Sequence, residues 1–515
     1  LRSSMNKIFK LLALVLIVPL LVNAQTLDEK LKEIDDYANV VMSTWKGPGM
    51  AIAIVKDDKM VFAKGYGVRE LGKPEPVNQD TVFAIASNSK AFTTAALAIL
   101  VDEKKLAWDD KVSKYLPDFQ MYDPWVTSEL TIRDLVTHRV GLDTFSGDLL
   151  WYETTYTGDE ILRRLKHLKP VSSFRTRYGY QNLMFIAAGK IVEKVSGKTW
   201  CQFVSERILT PLSMTRTSCS IKNLPDNASF PHNESGGALR VLHRGNVDGS
   251  SSAAALNSSV ADLSKWVRTQ LAAGKSEGKQ IFSEAQAWQM HQPYLAQQIS
   301  AAAARSNPTR HFTGVAMGWF VYDYHGRKII NHSGGLDGML SYTVLIPEEK
   351  VGFIVLTNSE SPAFAIMMNK IRDVFVGAPK RDYNEEAKAQ MAATKTRDAE
   401  ERARVDAARV ANTRPSLALS GYAGTYSSDM YGDVVISEEN GTLVMRFTPS
   451  PNFVADLEHW HYDTFQIRWR PSVAYNFPRG YVTFTIDKNG KTDQLKIDQP
   501  NNDFWFYELD LKRTK

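Results

Sequence analysis

Strand-like sequence gathers at the two ends of the first 375 or so residues, and almost everything between reads as helix. Met50–Val55, the polar turn Lys56-Asp57-Asp58 and Met60–Phe62 form one hairpin pattern; Lys328–Asn331, Tyr342–Ile346 and Val351–Thr357 return nearly three hundred residues later, the last two joined by Pro347-Glu348-Glu349. Strands need partners. This spacing therefore predicts one antiparallel sheet assembled from both ends of the segment, with a helical subdomain beside it and a cleft between: an α+β fold. Helices from Leu27 to Trp45 and from Ala363 to Phe375 frame the segment, and the helical middle, about Ser89 to Trp288, is broken by loops such as Ser235-Gly236-Gly237.

At 515 residues the chain exceeds one ordinary core, and the pattern changes after the sheet. Arg381–Arg414 is rich in Ala, Glu, Lys and Arg with no internal glycine or proline, which favours a solvated helix over a disordered charged linker. From Leu417 short alternating runs recur, at 433–436, 442–445, 464–467 and 481–484, with hairpin turns at Asn440-Gly441 and Asn489-Gly490. These predict a small β-barrel or sandwich. The expected division is a signal peptide at 1–24, the α+β domain at 25–378, a linker at 379–415 and the all-β domain at 416–515.

The first segment has the form of an export signal. Lys7 and Lys10 precede an apolar run from Leu11 to Val22, too short to span a bilayer, and Val22-Asn23-Ala24 suits cleavage after Ala24. A periplasmic or secreted location without a stable membrane anchor is the expectation. Losing residues 1–24 removes three basic residues and no acid, so the formal charge falls from +5 to +2. No dense Lys/Arg face with interleaved aromatics remains, so no nucleic-acid partner is expected. Neither Cys201 nor Cys219 sits where a lipid-attachment cysteine would. Export permits them to pair, but sequence does not fix their separation, and two buried free thiols is the simpler expectation.

Three short motifs carry chemistry. In Ser87-Asn88-Ser89-Lys90 the serine and lysine share a helix face. Ser4/Lys7, Ser43/Lys46 and Ser276/Lys279 have the same spacing, but only Ser87 follows an apolar run, Val82–Ala86, and opens a long apolar helix through Leu100. There the helix N-terminal N–H groups favour an oxyanion. A serine hydroxyl needs a base to take its proton. Lys90 supplies it if burial lowers its pKa, or stays cationic and lowers that of a nearby phenol. Tyr180-Gln181-Asn182 offers such a phenol ahead of the apolar run Leu183–Val192; Tyr37-Ala38-Asn39 also matches the triplet. His332-Ser333-Gly334-Gly335 closes the strand from Lys328, where glycines admit a substrate backbone and the Gly335 N–H can join that of Ser87 as an oxyanion hole. His243-Arg244-Gly245 fits the pattern but lies in no strand.

In this order the three elements resemble the active-site motifs of class C β-lactamases, DD-carboxypeptidases, D-aminopeptidases and related esterases of the penicillin-binding-protein-like serine hydrolases. Phe83-Ala84-Ile85-Ala86-Ser87, Tyr115-Leu116-Pro117, Leu130–Leu135 running into His138-Arg139-Val140-Gly141-Leu142, and Pro211-Leu212-Ser213-Met214 agree with it, over roughly residues 28–376. The tail, with His459-Trp460-His461-Tyr462-Asp463, resembles the lipocalin-like accessory domain of many members. The resemblance implies that Ser87 attacks, Lys90 and Tyr180 share the base and acid work, Asn182 orients Lys90 and a substrate amide, and no metal or organic cofactor takes part. His332 departs from the lysine usual in β-lactamases. A histidine that is mostly neutral at pH 7 holds a carboxylate less firmly, so weak β-lactam turnover is expected, and short peptides, D-amino-acid amides or small esters are favoured as substrates. The rival expectation is a peptidoglycan- or peptide-binding protein with little turnover. His138 reads as structural, Trp319 and Tyr342 as wall or core, and His459, His461 and Asp463 as alternating strand residues rather than a metal site.

Overall fold

The computed structural model describes residues 25–235 and 237–514; the export-signal segment lies outside them. The α+β expectation holds. One antiparallel sheet contains β1 (Gly49–Lys56), β2 (Lys59–Gly67), β3 (Leu295–Ala296), β4 (Thr313–Val315), β5 (Phe320–Tyr324), β6 (Arg327–Leu336), β7 (Met339–Ile346) and β8 (Val351–Thr357), in the order β2-β1-β8-β7-β6-β5-β4-β3. The two ends of the segment meet where β1 pairs β8, from Met50 opposite Thr357 to Lys56 opposite Val351. Both faces of β1 are covered, which explains its continuous apolar run. Met50, Ile52 and Ile54 pack with Ile34, Ala38 and Val41 of the helix Leu27–Trp45 and with Ile366, Met367 and Ile371 of the helix Ala363–Val376. Ala51, Ala53 and Val55 face the other core, with Leu263, Trp266 and Val267 of the helix Val260–Leu271.

β6 runs past Asn331 to Leu336, so His332 lies inside a strand rather than at its end. β5 pairs β6 only over Arg327–Asn331. From His332 onward β6 is therefore paired with a strand on one side, β7, and open on the other.

Two readings need correction. Cys201 and Cys219 are joined by a disulfide, with Cα atoms 5.8 Å apart, because the turns after the helix Trp200–Val204 bring the chain back on itself. A bulge falls between His459 and His461, so strict alternation fails there; Asp463 instead accepts hydrogen bonds from Ser416 and Tyr422, and His461 from the Val410 N–H.

The charged segment forms a helix, Tyr383–Ala407. Beyond it eight strands, from Gly424–Ser428 to Leu511–Arg513, close into an antiparallel barrel filled by Tyr422, Tyr426, Phe447, Phe465 and Phe484. Asn440 and Gly441 both take positive φ, the geometry of a tight hairpin turn. Among the described residues no helix is long and apolar enough to cross a membrane.

Candidate active site

Ser87 sits in a 3-10 turn, Ala86–Asn88, that runs into the helix Ser89–Asp102. The preceding Ala86 is buried with φ +44°, a conformation costing an L-residue about 1–2 kcal/mol. Neighbours hold the turn there. Ser341 on β7 donates its hydroxyl to Ile85 O (2.8 Å) and accepts from Asn88 Nδ2 (2.8 Å), while Ile85 N–H donates to Leu256 O (2.9 Å). Gly334 of β6 closes against the same turn. A Cβ at that position would overlap the Ile85 carbonyl oxygen and stand 3.0 Å from the Ser87 nitrogen.

Lys90, one helical turn on, is fully buried. Its Nζ donates to Ser87 Oγ (3.0 Å), Asn182 Oδ1 (2.7 Å) and Ala253 O (2.9 Å), which uses all three ammonium protons. Burial lowers its pKa to about 7, against the opposing pull of Asp148. The Tyr180 ring lies 4.9 Å from Nζ. Burial holds the Tyr180 phenol well above its ordinary value, although the Ser87 hydroxyl favours its ionised form. His138 fixes the phenol's place: its ring stacks on Tyr180 at 4.3 Å, and its Nδ1 accepts from the Gln181 N–H at 2.9 Å.

His332 is 1% exposed, and its Nδ1 donates to the Ser333 carbonyl (2.5 Å). That leaves a lone pair on Nε2, which has no hydrogen-bond partner among the described residues. Burial, with Lys90 adding to it, lowers the His332 pKa to about 3. The ring is neutral at any physiological pH.

Ser87, Tyr180, Asn182, His332 and Gly335 line one cavity of about 650 Å³. Tyr37-Ala38-Asn39, by contrast, lies within the first helix, and His243 is tied to Glu153 (3.2 Å) outside any strand.

A family model for beta-lactamase matches residues 35–375. The chain belongs to the β-lactamase family. A second model, a domain of unknown function (DUF3471), matches residues 408–513, the barrel. The unguisins hydrolase ungD′ of Aspergillus campestris is 30% identical over 351 residues, 63% of this chain and 61% of its own length. The match thus spans about three fifths of that curated relative. Two solved structures share the fold. An octameric penicillin-binding protein homologue from Pyrococcus abyssi aligns with TM-score 0.60 and 20% identity over 94% of this chain and 99% of its own. EstCE1, a hydrolase with promiscuous acyltransferase activity, aligns with TM-score 0.57 and 19% identity over 68% of this chain and 99% of its own.

Within this β-lactamase-family site the structure adds residues that carry no sequence signal. Asp148, from a Ser-Gly-Asp stretch that reads only as a turn, accepts from Asn182 Nδ2 (2.6 Å). It completes a line from Asp148 through Asn182 and Lys90 to Ser87. Burial pushes its pKa up to about 8. The barrel supplies Tyr475, Asn476, Asp503 and Phe504 to the cavity wall, near Asp337 and Glu360 of the α+β domain. No lysine or arginine lines the cavity among the described residues, and eight aromatic side chains do.

Proposed function

We propose that this β-lactamase-family hydrolase works through an acyl-enzyme on short peptides, D-amino-acid amides or small esters, with weak or no β-lactamase activity. The observation that carries the proposal is the Lys90 amine, 3.0 Å from Ser87 Oγ in a site whose burial brings its pKa to about 7. A neutral Lys90 takes the Ser87 proton as Oγ attacks the carbonyl carbon. The Ser87 and Gly335 N–H groups face the developing oxyanion. Tyr180, kept protonated by burial, is suited to pass a proton to the departing nitrogen or oxygen as that bond breaks. The Lys90 ammonium returns its proton to Tyr180, restoring both groups. Water then attacks the acyl-enzyme ester, Lys90 accepts the water's proton, and the Ser87 oxygen takes a proton from Tyr180 as the acid departs. Neither a metal nor an organic cofactor enters these steps.

Charge supports the substrate class. Among the described residues the cavity has no lysine or arginine to pair with an anion. Asp337, Glu360 and Asp503 line it, burial holding the Asp337 carboxyl up at about 7 and that of Glu360 above its usual value, and His332 offers a neutral acceptor where a cation would grip a carboxylate. Such a site favours neutral or cationic acyl donors over anionic β-lactams. The name of the Aspergillus relative, a hydrolase, agrees. The Cys201–Cys219 bond supports export to an oxidising compartment, periplasmic or extracellular.

Ser87→Ala should lower hydrolysis by about 10⁴ to 10⁶-fold on whichever p-nitrophenyl ester or D- or L-amino-acid anilide proves a substrate. Retained activity on all of them would end the assignment. Nitrocefin turnover faster than that of every ester and anilide would overturn the substrate class.

A further inference from the structure

The loop at residues 143–148 stands between the Ser87 machinery and the barrel and is bonded to both. On its inner side Phe145 N–H donates to Tyr180 O (2.9 Å), Tyr180 N–H donates to Thr144 Oγ1 (3.1 Å), and Asp148 receives the Asn182 amide. On its outer side the two oxygens of one barrel carboxylate each hold a donor. Glu508 Oε1 accepts from the Ser146 hydroxyl (2.6 Å) and Oε2 from the Gly147 N–H (2.9 Å). Three residues earlier, Trp505 Nε1 donates to Thr144 O (2.6 Å). Gly147 is locked as well: φ is +78°, and a Cβ would come within 2.5 Å of Leu168 and 2.6 Å of Leu183.

An apolar contact would join barrel and loop at lower cost than a largely buried carboxyl. Two directed bonds to adjacent residues do something an apolar contact does not: they fix where the loop sits and which way its peptide faces. What the loop presents inward is the Asp148 carboxyl group, and behind that come Asn182, Lys90 and Ser87.

We propose that Glu508, seconded by Trp505, is a positioning residue for hydrolysis, holding the 143–148 loop so that Asp148 and Asn182 aim the Lys90 amine at Ser87. The inference rests on the nucleophile assignment made above. It separates from a purely adhesive role because misaiming the base slows the chemical step without loosening the substrate.

The test uses the full chain with p-nitrophenyl acetate, comparing Glu508→Ala, Glu508→Gln, Trp505→Phe and Ser87→Ala with the parent, with thermal melting in parallel. Glu508→Ala should lower kcat about tenfold while KM stays within about threefold. Glu508→Gln keeps the length and one accepting oxygen and should recover most of that loss; Trp505→Phe, which removes one N–H, should cost kcat about threefold. Parent-like kcat in Glu508→Ala beside an inactive Ser87→Ala overturns the positioning role alone. An active Ser87→Ala overturns the nucleophile assignment and this inference with it. If Glu508→Ala does not fold, parent-like kcat in both remaining variants overturns the inference. Equal losses in Glu508→Ala and Glu508→Gln, each with a lowered melting temperature, mark a structural role and also overturn it.

Discussion

Lys90 is a fully buried amine, and that single fact orders the chemistry around it. Burial disfavours the ammonium, and with a folded pKa lowered to about 7 the free base is present above that pH and lost below it. The kcat/KM profile should therefore rise with pH through about 7. His332, lowered to about 3, adds no second limb near 6.5; a limb that His332→Asn removes would contradict this. The ionised form of Asp148 opposes the shift, though burial keeps much of that carboxyl protonated near pH 7, so Asp148→Asn should leave the limb in place or move it to lower pH, and a move upward would refute the coupling. At Gly334 there is no room for a methyl group between Ile85 and Ser341. Gly334→Ala should lose activity far out of proportion to any change in KM, as steady-state kinetics with the same ester would show. The gathering of Ser87, Lys90 and Tyr180 at one site was readable from motifs because serine, lysine and tyrosine of these kinds stand in telling contexts. Asp148 was not, since a carboxylate acquires such a role only when a distant loop is folded against Asn182.

Strands buried on both faces announce themselves, and short ones do not. β1 and β8 carry near-continuous apolar runs and were legible for that reason, while β7 shows one only at Val344–Ile346, after Ser341, Tyr342 and Thr343. β3 and β4, of two and three residues, are too short to show a period, and β5 hides its alternation within Phe-Val-Tyr-Asp-Tyr. The hairpin at Asn440-Gly441 was legible because its turn demands those residues. The Cys201–Cys219 bond was not, because pairing depends on where two turns bring the thiols. That bond closes a loop with a sequence separation of 18, which in the chain-entropy account stabilises the fold by about 3 kcal/mol. Replacing both cysteines with serine should lower the melting temperature by roughly 5–10 °C in calorimetry while leaving kcat on small esters near the parent's. An unchanged melting temperature would show that the bond constrains little.

At the scale of the whole molecule, the α+β part supplies Ser87, Lys90 and Tyr180 and most of the cavity lining, and the barrel adds Tyr475, Asn476, Asp503 and Phe504 to the wall. Phe504 lies against Tyr152, ring centroids 4.3 Å apart, and both line the cavity. Phe504→Ala should widen it, so the ratio of kcat/KM for a bulky acyl ester to that for the acetate should rise severalfold; an unchanged ratio would place the barrel outside substrate selection. The barrel itself was legible from its alternating runs. Its contact with the cleft was not, because nothing in a strand's own sequence says which loop it will touch. Residues 503–508 leave the ribosome long after Ser87 does. A nascent chain halted between them would already carry Ser87 and Lys90 but lack the carboxyl group that holds the 143–148 loop, so its hydrolysis should run at least about tenfold below that of the finished chain.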